Sequence, residues 1–172
     1  FIEHAAGKDN NSVYDVVAVA DAGTVDASSG ASAAGFTLSA PKGASVVTPT
    51  TTMIAEGAKS GVALTSADVA AALGLPAGVD PLTFNPYASG VNAADALAAE
   101  KVAQQLMTTV SAFSATLEGA GASSADAFAL ALNSVVEVVK DNKTAGTALD
   151  LTDTAAVTSI GNKLDSQMTA NG

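Results

Sequence analysis

The chain has 172 residues, 48% of them hydrophobic and only 4% aromatic, which is enough for one domain with a sizeable core built mainly on Ala, Val and Leu. Seven basic against seventeen acidic residues give a net charge of −10; every basic residue is Lys, scattered from Lys8 to Lys163, so nucleic-acid binding and charge-driven adhesion to an anionic membrane are excluded. The absence of Cys excludes disulfides, thiolate metal sites and cysteine nucleophiles.

Residues 12 to 47 are rich in Val, Thr, Ser and Gly, the composition of strands and turns. Tyr14 to Val19 reads as a strand, and Ala22 to Gly35 as a loop or weak hairpin. Phe36-Thr37-Leu38-Ser39-Ala40 alternates as a half-buried strand should. Pro41-Lys42-Gly43 signals a turn, with a short strand at Ser45-Val46-Val47 after it.

From Thr48 onward the punctuation is helical. Thr48-Pro49 is an N-cap followed by Pro in the first helical position, and that helix ends near Gly61. Thr65-Ser66-Ala67-Asp68 can form a capping box ahead of Val69 to Leu73, with Gly74 as the stop. Pro76 and Pro81 make the stretch up to Tyr87 a connector, in which Asp80 and Asn85 can bond nearby backbone amides. Asn92 caps the longest helix, Ala93 to Glu118, with Val102, Leu106, Val110, Phe113 and Leu117 on one face. Ser123 opens the next helix, whose stripe is Phe128, Leu132, Val135, Val136 and Val139. The last begins near Thr152 with Val157, Ile160, Leu164 and Met168 on its face.

The expectation is therefore an α+β chain, mostly α. Residues 1–47 form a small N-terminal strand and loop region, and residues 48–172 an antiparallel Ala-rich helical bundle, the two making one unit. No apolar run is long enough to span a membrane. The start at Phe1 rather than Met reads as a processed or excised piece.

Few residues offer chemistry. His4 is the only histidine and has no partner within reach in the sequence, and neither a nucleophile elbow nor a phosphate-binding glycine loop is present. The densest local set of oxygen ligands is Asp9-Asn10-Asn11 with Asp15 further on, and Asp21 and Asp26 flank a Gly; Asp9, Asn11, Asp15, Asp21 and Asp26 make a candidate calcium site, though neither group matches an EF-hand or nonapeptide pattern. The competing reading of those residues is a solvated acidic surface. Glu56, Glu100, Glu118 and Glu137 read as surface charges on helices that bury other faces. The expectation is no enzyme and no resident cofactor other than calcium.

Thr48-Pro49-Thr50-Thr51-Thr52-Met53-Ile54, followed by Ala70 to Pro86 with its Ala-Leu-Gly-Leu-Pro and Val-Asp-Pro-Leu-Thr-Phe-Asn-Pro runs, resembles a module of very large bacterial surface and adhesin-like proteins. Those proteins carry a Thr-Pro-Leu-Thr-Thr-Leu start, an Ala-Leu-Gly-Leu-Pro stretch, a Val-Asp-Leu-Thr connector and an Ala-rich helix. The likeness covers about residues 36 to 118. Thr50 departs from it, standing where an apolar residue is usual. The resemblance implies an extracellular structural or adhesive role. The strand-like N-terminal segment ahead of a helical body would allow strand addition to a neighbouring subunit, so the expected partners are further copies, in a filament or surface layer, or neighbouring domains of the same protein. The alternative is a calcium- or glycan-binding module.

Overall fold

The computed structural model describes residues 2–3, 15–25 and 36–171. Within these, the order is β1 (Ile2–Glu3), β2 (Val16–Val19), β3 (Thr37–Ala40), β4 (Val46–Val47), α1 (Pro49–Lys59), α2 (Ser66–Ala72), α3 (Ala93–Gly119), α4 (Ser124–Ala145) and α5 (Thr154–Asn171). The chain is mostly helical, with a small antiparallel β part at its N-terminal end, as the composition shift at Thr48 predicts. No helix of the described residues is long and apolar enough to cross a membrane.

The bundle is organised around α4, which packs against α1, α2, α3 and α5. From Ala127 to Val139 no residue of α4 is exposed. The predicted stripe of Leu132, Val135, Val136 and Val139 is buried, and so are Ala127, Ala131, Ser134 and Val138 on other sides of the helix. A helix with four neighbours keeps only a narrow half-buried stripe toward solvent, here Leu130, Asn133 and Glu137, and the small side chains of Ala and Ser are what let those neighbours approach. Gly57 of α1 shows how close they come: a Cβ there would lie 2.9 Å from the Val62 carbonyl oxygen and 3.3 Å from Val136.

Helix α3, at 27 residues, is about 40 Å long and returns antiparallel into α4 through a tight turn. Gly121 makes that turn possible with φ +101°, letting its own amide reach the Glu118 carbonyl and the Ala122 amide reach the Leu117 carbonyl. This is a Schellman stop, which a β-carbon would strain. Helix α5 differs from its predicted pattern. Ile160 and Leu164 are buried, but Val157 and Met168 are 39% and 44% exposed. The helix packs chiefly on α4, on one side only, so its buried stripe is narrower than a four-residue pattern implies. Its start moves to Thr154, where the Asp153 carboxylate accepts the Ala155 amide.

Among the described residues, the β part shows two short antiparallel ladders, β2 with β3 and β1 with β4. In the hairpin, Val16, Ala18 and Leu38 turn inward onto Ala40, Ala44 and Val47, whereas Val17 and Val19 are 57% and 73% exposed. That is the period of two expected of a strand with one solvated face. The β1–β4 pairing, with Ile2 opposite Val47 and Glu3 opposite Val46, was not anticipated from the sequence. Two residues are too short for any alternation to register.

The connector between α2 and α3 behaves as its residues predict. The Asp80 carboxylate accepts the Leu82 amide at 3.0 Å and the Thr83 hydroxyl at 3.3 Å, and the Asn85 side chain accepts the Tyr87 amide at 2.8 Å. So fixed, the connector places Leu82 between the bundle core and the small hairpin core, packed against both. Its carbonyl takes the Ser45 amide at 2.9 Å.

Candidate functional site

The densest polar construction in the described residues lies where strand β3 meets the start of α1. In an antiparallel ladder, hydrogen-bonded and non-bonded pairs alternate. The Ala20 amide donates to the Phe36 carbonyl at 2.9 Å, which fixes the phase: Leu38 and Ala40 direct their backbone groups toward β2, and Ser39 directs its own away. Ser39 is nevertheless buried. Left alone, its amide and carbonyl would be unpaired polar groups inside the protein.

Threonines of the first turn of α1 supply the missing partners. The Ser39 amide donates to Thr52 Oγ1 at 3.0 Å, and the Ser39 carbonyl lies 2.9 Å from Thr51 Oγ1 and 3.1 Å from Thr52 Oγ1. Both hydroxyls also lie within 2.9 Å of the Thr48 carbonyl. Each carries one proton, and the Thr48 carbonyl also accepts the Thr52 amide at 3.0 Å, so the two hydroxyls suffice to satisfy both carbonyls. Thr51 Oγ1 in turn accepts the Thr48 amide at 2.8 Å while Thr48 Oγ1 accepts the Thr51 amide at 3.2 Å. This is a capping box with Thr in the place usually held by Glu or Gln.

Thr50, the departure from the surface-protein pattern, is buried with its hydroxyl 2.8 Å from that of Thr48. Glu56 extends the construction. It accepts the Ser39 hydroxyl at 3.2 Å and pairs with Lys59 at 2.6 Å, so it is a junction residue rather than a free surface charge. Phe36 and Phe128 add an apolar tie between the hairpin and α4, their ring centroids 5.8 Å apart. Sequence reading placed Thr48 correctly but missed Ser39, Thr51 and Thr52. The available signal was a run of three threonines at a helix start, directly after a strand.

Of the candidate calcium ligands, Asp9, Asn11 and Asp26 lie outside the described residues, as does His4. Asp15 and Asp21 stand at opposite ends of β2, which at about 3.3 Å per residue holds them about 20 Å apart, too far for one ion. Each is engaged locally. Asp15 accepts the Lys42 amide at 2.9 Å, holding the β3–β4 turn, and Asp21 accepts the Gly23 amide at 2.9 Å and the Thr24 hydroxyl at 3.0 Å. Among the described residues, no three His, Cys, Asp or Glu side chains stand close enough to hold a metal ion.

The perturbed titrating groups mark ties between helices. Asp68 is held down at a pKa of about 2, first by its bond to Lys143 and then by the Thr65 amide and hydroxyl. The Lys143 ammonium sits 2.9 Å from the Asp68 carboxylate, joining α4 to the capping box of α2. Lys163 is raised chiefly by its 2.7 Å bond to Asp141, which joins α5 to α4. Asp150 is lowered by the Thr152 hydroxyl and amide in the loop before α5.

No protein-family model, curated protein or solved structure matches this chain.

Proposed function

We propose that this chain is a non-enzymatic structural or adhesive module of a bacterial surface protein, working outside the cell and associating with neighbouring modules or with copies of itself. The observation that carries the reading is the β3–α1 junction. Its hydroxyls are turned inward onto backbone groups, making a rigid connection between a short strand region and a helical body. Carboxylates in the loops do the same for helix starts and turns, as Asp21, Asp80 and Asp153 illustrate. Polar side chains are thus employed in holding shape, the property a load-bearing or spacing module requires. The resemblance of residues 36 to 118 to segments of large surface proteins supports the same role. The strongly acidic composition favours solubility and long-range repulsion between modules, which screening at moderate ionic strength relieves.

Negative-stain electron microscopy of the purified chain over a range of concentrations and salt, together with antibody labelling of intact producing cells, tests the proposal. Ordered oligomers, filaments or layers and surface labelling are expected. A chain that stays monomeric throughout, with label only in lysed cells, contradicts it.

A further inference from the structure

From the β1–β4 ladder we infer that the edge of β4 is an exchange site, at which Ile2–Glu3 of a second copy of this chain takes the place of the chain's own Ile2–Glu3. The inference rests on the structural-module reading and names the surface through which copies would join. Val46 and Val47 are 1% and 0% exposed, so β4 is an integral core strand and not a peripheral one. Its free edge is covered by a ladder of only two residues, Ile2 opposite Val47 and Glu3 opposite Val46. So short a ladder has few hydrogen bonds to lose on release, whereas the edge it uncovers is a template for another strand.

The segment that fits this edge is on the page, because the chain's own β1 occupies it. An identical segment from another copy forms the same bonds in the same register, which is why exchange of an identical element costs little free energy once the segment has been released. Residues 4–15 connect β1 to β2, and a stretch of that length reaches about 40 Å when extended, enough to cross to a neighbouring molecule. If the modules stand in series along one long chain, the local concentration of donor segments is high without further contacts. Repulsion between acidic copies opposes exchange at low salt, so raising the ionic strength promotes it.

The absence of Cys makes the test clean, since any thiol introduced is the only one in its chain. Chains carrying Glu3→Cys are mixed with chains carrying Val46→Cys, opened in mild urea, returned to buffer and oxidised. These positions face each other across the ladder, within the distance a disulfide spans. Exchange yields a covalent heterodimer of twice 16.7 kDa on a non-reducing gel. It should exceed by about tenfold the product of Glu3→Cys mixed with Thr116→Cys, an exposed site on α3. Ile2→Cys with Val47→Cys provides a second matched pair should Val46→Cys fail to fold. Equal cross-linking in the test and control mixtures overturns the inference. Ordered assemblies seen by microscopy without the specific cross-link refute exchange while leaving the module reading intact. A specific cross-link in strictly closed dimers supports exchange and counts against filaments.

Discussion

Helices α1 and α4 are both enclosed by the rest of the protein, but by different chemistry. Helix α4 buries Val, Leu and Ala against four neighbouring helices, a non-directional contact that tolerates small shifts. Helix α1 buries Thr50, Thr51 and Thr52 along with Met53 and Ile54, and its hydroxyls hold Ser39 and Thr48 by directed bonds. The first arrangement supplies stability in proportion to area. The second fixes the position of one strand relative to one helix, because a hydroxyl displaced by an ångström leaves a buried group unpaired.

The largest effect expected from breaking either side lies in the bundle. Leu132→Ala should destabilise by about 3 kcal/mol in urea denaturation, since Leu132 is buried at the centre of the bundle, where neighbours relax only partly into the cavity. At the junction, Thr51→Val keeps the shape but leaves the Thr48 amide without a partner, and a loss of about 2 kcal/mol is expected. Thr116→Val, whose exposed hydroxyl only bonds back to Ala112, should change stability by less than about 0.5 kcal/mol in the same assay. Equal effects at Thr51 and Thr116 would show that the junction hydroxyls do not hold the hairpin.

This contrast also explains what could be read from the residues alone. The helices were legible because caps and stops are local: Thr48, Thr65, Asn92 and Ser123 each bond an amide within three residues. The enclosed nature of α4 was only half legible, since periodicity identifies one buried face and says nothing of Ala127 or Ser134 on the others. Ser39 was illegible for a different reason. Its partners lie twelve and thirteen residues away, and its own position in an alternating strand marks it as outward-facing. It does face outward from the hairpin, but into α1. Of the proposed calcium set, Asp15 and Asp21 are held apart by the extended backbone of β2, a separation that ligand type alone does not register.

Smaller effects refine the comparison. The Asp68–Lys143 tie should contribute under about 1 kcal/mol, because the Lys143 side chain is 44% exposed and water screens the pair. Asp68 has a folded pKa of about 2, below its ordinary value of 3.8, so its contribution is fully present above pH 4 and is lost as pH falls toward 2. Asp68→Asn should remove that part of the acid dependence, measured as the urea midpoint between pH 5 and pH 2. The smallest change is expected at Ser114, whose buried hydroxyl has no hydrogen-bond partner among the described residues. Ser114→Ala should leave the midpoint unchanged or raise stability by about 0.5 kcal/mol, in contrast to the buried hydroxyls of α1.

Hydrogen exchange at the Ser39 amide tests the central claim most directly, because that proton is held by the Thr52 side chain rather than by a ladder. If the junction joins the hairpin and the bundle into one cooperative body, the Ser39 amide exchanges only on global opening, as slowly as the Val135 amide within about tenfold. Thr52→Val should then accelerate Ser39 selectively. Exchange of Ser39 within seconds while Val135 remains protected would contradict the account, showing that the hairpin opens independently of the helices.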